Sequence, residues 1–369
     1  MKILKVLLLL LCSSTILSAQ DTTYYSVVSK GKIKGGQKVW KGSEGTYYYA
    51  YQFNDRGRGD STTTVIGTNK DGLINRLEIT GIDYYKNPYA EEFSIKGDSA
   101  IWTVNGERKS KKFGNELYLT NTAPASFELF LQWIIKQPDR RTAVLPDGFM
   151  HTDEPLLRSF SLNGKSVQLK LFSVYFEPST APSYIWMTND MHFFASVSPW
   201  SSNVETGYES LVDTLLTLQE IAGQGYYSDE VKNSSRQLAA HILFTHASVF
   251  ESATATVKKD MTVEVRDGKI IAVYETLSKK ASINADTVID CKGKFLMPGL
   301  WDMHGHFSKD EGSSYLAGGV THLRDMGNDN ILLTYKNQIA SNKLLGPDIS
   351  YLSGFIDKED PFQGPTGLG

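Results

Sequence analysis

Apolar and polar residues alternate along the first half of the chain, as they do in strands with one buried face. The alternation is clearest at residues 47–53, 73–79 and 100–104, and successive strand residues point to opposite faces of a sheet. Asp-Gly and Asn-Gly pairs separate these runs, at 71–72, 105–106, 147–148 and 163–164. Such pairs suit the positive φ angles of tight hairpins. The pattern predicts an antiparallel β domain over residues 20–203, with one helix near 126–135 packed on the sheet.

A helical period replaces this alternation after residue 204. Apolar residues recur there at spacings of three and four: Leu211, Leu215, Leu218 and Ala222. A packed helix face is the preferred interpretation. Gly223 and Gly225 are expected to end this helix, and a second short helix is expected over 229–240. The pattern predicts a helical connector over residues 204–240.

Short strands return after residue 241. The pattern predicts a small β-sandwich over residues 241–296, with an Asp267-Gly268 hairpin and strands at 242–250, 261–265, 269–274, 287–291 and 294–297. Strands and helices then alternate over residues 297–369, which is typical of parallel β/α units. The strands are expected at 300–306, 320–325 and 348–355, and the helices at 311–317 and 331–341.

His304 and His306 carry the sharpest chemical signal. Residues two apart on a strand share a face, so two neutral imidazoles could bind one metal ion. By the same parity Asp302 shares their face, and Trp301 and Met303 point the other way. A His-x-His pair alone is a weak signal, because it also recurs by chance.

The surrounding residues make the signal stronger. The sequence Met-Pro-Gly-Leu-Trp-Asp-Met-His-Gly-His at 297–306 resembles the first barrel strand of the amidohydrolase superfamily. Gly-Val-Thr-His-Leu-Arg-Asp-Met-Gly at 319–327 is similar to the second strand of the imidazolonepropionase and prolidase-like subgroup. Gly-Pro-Asp at 346–348 with Gly-Phe-Ile-Asp at 354–357 is similar to its third strand. The resemblance covers residues 242–369.

The resemblance implies the first three β/α units of a TIM-type (β/α)₈ barrel over residues 297–369. It implies one or two divalent metal ions, commonly zinc, with His304 and His306 as metal ligands and a metal-activated water that hydrolyses a C–N bond. In the family, the remaining ligands lie on strands four to eight, beyond the third strand with which this sequence ends. We therefore expect a C-terminally truncated chain that binds zinc weakly and is inactive alone.

The other histidines have a structural interpretation. His241 and His246 are five apart and would face opposite sides of a strand, so a shared metal site is disfavoured. His151 and His192 lack a partner at ligand spacing, and His322 on the second barrel strand is given little weight as a site residue.

Three further residues are weighed in the same way. Arg324 and Asp325 could order the barrel mouth, but a structural ion pair is the preferred interpretation. For Cys291, a buried small residue is preferred over a reactive thiolate.

The first residues resemble a secretory signal peptide over 1–19. Lys2 and Lys5 precede an apolar run at 6–11, and small polar residues lead to Ala19. The run is too short to span a bilayer, and lipid attachment at Cys12 is the less favoured alternative. We expect an exported protein, periplasmic or secreted, with no later membrane span.

Composition narrows the functional classes. A net charge of −3 gives no electrostatic case for nucleic-acid partners, and removal of Cys12 would leave Cys291 as the single thiol. The favoured function is hydrolysis of a small-molecule or dipeptide-like substrate. The alternative is a non-catalytic binding protein that uses its N-terminal β domain. The oligomeric state stays open.

Overall fold

The computed structural model describes residues 21–120, 123–162, 165–177, 181–236, 239–276, 284–327, 331–352, 355–356 and 367–368. The signal peptide expected over 1–19 and the turn expected at 163–164 lie outside these ranges. The chain divides into two compact units, Met1–Gln219 and Glu220–Gly369. Within the described ranges, no helix combines the length and the apolar character needed to cross a membrane.

A sixteen-stranded sheet dominates the first unit. Its order is β8-β7-β6-β5-β4-β3-β2-β1-β16-β15-β14-β13-β11-β10-β9, with β12 also paired to β13. Neighbouring strands are antiparallel except β9 and β10. The strands are β1 (Thr22–Ser29), β2 (Lys32–Lys41), β3 (Thr46–Phe53), β4 (Ser61–Thr68), β5 (Ile74–Ile82), β6 (Pro88–Lys96), β7 (Ser99–Val104), β8 (Glu107–Lys112), β9 (Leu117–Tyr118), β10 (Arg141–Leu145), β11 (Phe149–Thr152), β12 (Leu156–Leu162), β13 (Lys165–Glu177), β14 (Ser183–Thr188), β15 (Phe193–Ser196) and β16 (Ser202–Glu205).

The predicted alternation forms the core of this unit. On β5, Leu77 and Ile79 are buried, while Arg76 and Glu78, which alternate with them, are exposed. One helix, α1 (Phe127–Ile134), packs its buried side chains into the same apolar cluster as the sheet. The predicted antiparallel domain and its helix are confirmed.

The connector differs from its prediction. Its first residues belong to β16, which pairs with β1 inside the large sheet. A single helix, α2 (Val212–Ser234), then runs through Gly223 and Gly225, so the predicted break and second helix are wrong. A helix-interior glycine costs only about 1 kcal/mol relative to alanine. The buried side chains of α2 offset that cost: Leu215, Gln219, Tyr227 and Val231.

After the end of α2, the second unit has a five-stranded sheet. Its order is β19-β18-β17-β20, and β21 also pairs with β17. Asp267 and Gly268 both have positive φ at the turn between β18 and β19, which confirms the predicted hairpin. The strands are β17 (His241–Glu251), β18 (Thr256–Arg266), β19 (Lys269–Glu275), β20 (Thr287–Asp290) and β21 (Phe295–Leu296).

Parallel β/α units follow, as predicted. The sheet order is β22-β23-β24, all parallel, and helices cover one face around buried Leu323 and Ile349. The described part has three neighbouring strands in this sheet rather than a closed barrel. The elements are β22 (Leu300–Gly305), a 3₁₀ turn (Lys309–Glu311), α3 (Gly312–Ala317), β23 (Val320–Asp325), α4 (Ile331–Ala340), β24 (Asp348–Leu352), β25 (Phe355–Ile356) and β26 (Gly367–Leu368).

Candidate metal site at the carboxyl end of the parallel sheet

A β-bulge near the end of β22 sets the direction of the site residues. Asp302 pairs with Leu323 and Gly305 with Asp325, so β22 has one more residue than β23 over this interval. A Cβ on Gly305 would lie 2.3 Å from Leu323 Cδ1, so Gly305 faces the helix-covered side. Phe307 is buried on that side too. His304 and His306 alternate with these residues and therefore project to the uncovered face.

The two site histidines, called here the His pair, lie side by side. The ring centroids of His304 and His306 are 5.5 Å apart and the ring planes are inclined by 74°. Both residues are exposed at the carboxyl end of β22. The structure thus brings together the two residues that the sequence selected.

A backbone carbonyl orients one ring. His306 Nδ1 lies 2.9 Å from the carbonyl oxygen of Gly327. Because a carbonyl oxygen can only accept, this hydrogen bond requires the proton on Nδ1. The neutral ring then carries its lone pair on Nε2, the atom that can bind a metal ion.

Asp325 holds the loops on which this arrangement depends. The residue is 0 % exposed, and its carboxylate accepts from Phe307 N at 2.8 Å and from Gly327 N at 3.0 Å. Arg324 is exposed, so adjacent Arg324 and Asp325 point to opposite faces. This placement argues against an ion pair between Arg324 and Asp325. The alternative role, ordering the mouth of the sheet, fits Asp325.

The bulge also reverses the faces that were predicted for Asp302 and Trp301. The carboxylate of Asp302 lies on the covered side, where Oδ2 would be 3.3 Å from a Cβ on Gly305. Its Oδ1 accepts from His304 N at 3.0 Å. Trp301 instead stacks on His322, with the ring centroids 4.6 Å apart and the ring planes inclined by 10°. The prediction assumed that side chains alternate strictly between the two faces back from His304. The extra residue in the bulge moves the side chains that precede it to the opposite face.

The surroundings of Asp302 also raise the pKa of a neighbouring tyrosine, Tyr315. Burial raises the pKa of Tyr315 above its ordinary value, and the nearby carboxylates of Asp302, Glu311 and Asp325 raise it further. The hydroxyl of Tyr315 therefore stays protonated at neutral pH and can donate to Asp302.

The remaining histidines each have a local partner. His241 Nε2 and His246 Nδ1 lie 2.8 Å from different carboxylates, those of Glu264 and Asp260. His322 Nδ1 lies 2.9 Å from Thr321 Oγ1. These pairings agree with the structural interpretation of the three residues.

The histidines of the first unit also contact carboxylates. His192 Nδ1 lies 3.2 Å from Glu128, and His151 Nδ1 lies 3.3 Å from Glu177. Cys291 is buried, as predicted. Over the described ranges, no three His, Cys, Asp or Glu residues cluster closely enough to hold a metal ion.

The first unit has a separate concave surface. A groove of 480 Å³ crosses strands β1 to β4. Small and neutral polar residues make up much of its lining, which includes Gly36, Ala50, Gln52, Ser61 and Thr63.

Similarity to known proteins is partial. No protein-family model and no curated protein matches the chain. Among solved structures, a prolidase-type protein from Bifidobacterium longum has 26 % identity over 33 % of this chain and 32 % of its own, with a TM-score of 0.30. Molinate hydrolase has 22 % identity over 33 % of this chain and 31 % of its own, with a TM-score of 0.29.

A different solved protein is similar to a larger part of the chain. A β-barrel-like protein from Brucella abortus has 8 % identity over 50 % of this chain and 94 % of its own, with a TM-score of 0.34. The region matched to the two hydrolases spans about a third of their length. The solved neighbours thus include amidohydrolase-family hydrolases, at low TM-score and partial coverage.

Proposed function

We propose that this chain carries part of the metal centre of an amidohydrolase-type hydrolase, with His304 and His306 as metal ligands. The observation that carries the proposal is the His pair itself, with the two rings 5.5 Å apart at the carboxyl end of a parallel strand. Ligand sites in parallel α/β folds lie at that end of the strands.

The separation of the two rings in the His pair supports zinc as the bound metal. Zinc binds imidazole nitrogen at about 2.0–2.1 Å in tetrahedral geometry, which puts two ligand ring centroids roughly 5 Å apart. The hydrogen bond from His306 Nδ1 to Gly327 selects the tautomer that such coordination requires. Two ligands alone hold zinc weakly, because catalytic zinc sites usually have three protein ligands.

The donor set favours hydrolytic chemistry. A divalent cation at this position would lower the pKa of a bound water and so supply a nucleophile near neutral pH. The chain's own contribution is to hold the two imidazoles on one face and to fix the tautomer of His306. The proposed substrates are small molecules with an amide, lactam or peptide-like C–N bond, including dipeptides.

Hydrolysis assays on the complete protein that contains this sequence test the proposal. Zinc-dependent cleavage of dipeptides or lactams should be lost when His304 and His306 are both replaced by Ala. The matched control is His322→Phe, which removes an imidazole from the same sheet and keeps a ring against Trp301. Zinc-dependent cleavage that survives in the double variant would contradict the proposal.

We also propose that the protein is exported. Support comes from the charged and apolar residues that precede Ala19. Mass spectrometry of the protein recovered from the periplasm or medium should find a new N-terminus near Gln20. A mature protein that still begins at Met1 would contradict export by this route, and a diacylglycerol adduct on Cys12 would replace it with a lipid anchor.

A further inference from the structure

The carboxylate of Asp325 joins the ends of two neighbouring strands. One oxygen accepts from Phe307 N, in the segment that follows β22, and the other accepts from Gly327 N, in the segment that follows β23. The backbone adds a third link at the same level, from Met326 N to Gly305 O at 3.0 Å. We call the two hydrogen bonds of the carboxylate the Asp325 clamp.

The clamp is built around the orientation of His306. His306 immediately precedes Phe307, whose amide the clamp holds, and its Nδ1 bonds to the carbonyl of Gly327, whose amide the clamp also holds. Both the backbone that carries the ring and the carbonyl that orients it are thus fixed by one side chain.

Burial of an ionisable group at this point needs a reason. Desolvation makes a buried carboxylate costly unless hydrogen bonds compensate it. The neutral isostere Asn has only one acceptor oxygen, so one of the two backbone N–H groups would face the NH₂ donor instead. A carboxylate supplies an acceptor to both segments at once.

We propose that Asp325 is a positioning residue for the metal ligand His306, acting through the carbonyl of Gly327 to hold the Nδ1–H tautomer. This role rests on the proposed function, in which His306 is a metal ligand. The tautomer itself can be observed without metal, so failure of the clamp and failure of metal binding are separate results.

The experiment records the imidazole nitrogen shifts of His306 by NMR in the metal-free full chain, before and after Asp325→Asn. Wild type should show the Nδ1–H tautomer, and the variant should show a mixture of tautomers. Zinc affinity should fall by about 10-fold, at the lower end of the range for residues that orient metal ligands. Unchanged nitrogen shifts in the variant would overturn the proposal.

Two further variants distinguish a specific effect on the orientation of His306 from a general loss of stability. Ile349→Ala removes a fully buried side chain from the neighbouring strand β24 and should lower stability while leaving the His306 tautomer as it is. A tautomer shift equal to that of Asp325→Asn would overturn the proposal. If Asp325→Asn does not fold, Asp325→Glu keeps the charge but displaces the carboxylate, and the tautomer should again shift. An unshifted tautomer in Asp325→Glu would also overturn it.

Zinc titration of wild type tests the proposed function by itself. Absence of zinc binding at the His pair, together with a tautomer shift in Asp325→Asn, would support the clamp and contradict the metal site.

Discussion

Gly305 lies so close to Leu323 that a Cβ at position 305 would be 2.3 Å from Leu323 Cδ1. Real Cβ atoms do not approach other heavy atoms that closely, so a side chain at position 305 would force the Leu323 side chain to move. Leu323 is fully buried, and this contact fixes which face of β22 turns toward the helices. The histidines on either side of Gly305 are consequently turned toward the opposite face.

Gly305→Ala should therefore destabilise the second unit. The added methyl group overpacks the contact with Leu323, and overpacking of this kind costs about 1–3 kcal/mol. Urea unfolding measures the change. The matched control is Gly225→Ala in α2, where a Cβ would meet nothing within 4 Å. That substitution should raise stability by about 0.5–1 kcal/mol, because alanine is the better helix former. Equal stability of the two variants would contradict the packing role of Gly305.

Gln219 should stabilise the first unit through its amide. Gln219 Oε1 accepts from the buried indole N–H of Trp186 at 2.8 Å, and Nε2 donates to Val197 O at 3.1 Å. Gln219→Ala leaves a buried donor and a buried acceptor without these partners, which should cost about 2–3 kcal/mol. Thr217→Ala, at an exposed position of the same helix, should change stability by no more than about 0.5 kcal/mol. A loss in Gln219→Ala as small as that of the control would refute the role of the amide.

The stability of the first unit should fall in alkaline solution. Burial, then the charges of Glu128 and Glu205, raise the pKa of Tyr25 well above its ordinary value of 10.0. The unfolded chain then loses this proton at lower pH than the folded chain. The stabilisation is fully present below pH 10 and is lost as pH rises through the folded pKa, at about 1.4 kcal/mol per pH unit for one such tyrosine.

Tyr25→Phe isolates that contribution. Its loss of the hydrogen bond to Phe193 O, 2.9 Å long in wild type, should lower stability at neutral pH by about 1–2 kcal/mol. Urea unfolding between about pH 10 and pH 12 gives the free energy of unfolding as a function of pH. In Tyr25→Phe this free energy should fall less steeply with pH than in wild type, by the contribution of about one proton. Tyr24→Phe, at an exposed position, is the control and should keep the wild-type slope. An identical slope for Tyr25→Phe and wild type would mean that Tyr25 ionises equally in both states.

Periodicity predicted most strands and helices after residue 241 to within one or two residues, although β18 begins at Thr256, before the predicted start at 261. Val320–Asp325 was predicted to the residue. The helix α2 was predicted with a false break because the local cost of Gly223 and Gly225 was given more weight than packing. Tertiary contacts decide such cases, and a single sequence does not display them.

The candidate site was predicted only in part for a related reason. The His-x-His spacing located His304 and His306, since neighbours at that spacing share a face. The bulge beside them depends on the contact between Gly305 and Leu323, and the Asp325 clamp depends on pairing between strands. Neither leaves a periodic signal in the sequence, which is why the face of Asp302 was predicted wrongly and why ordering of the sheet mouth was only the less favoured role for Asp325.

Histidine-detected NMR during a zinc titration tests the central claim most directly. The chain contains 7 histidines, and the signals of His304 and His306 should shift together as zinc is added. The remaining histidines should stay unshifted at those zinc concentrations. Replacement of both residues by Ala should abolish the response, whereas His322→Phe should leave it intact. Signals of His304 and His306 that stay fixed while other histidines respond, or zinc affinity that is unchanged in the double variant, would contradict the assignment.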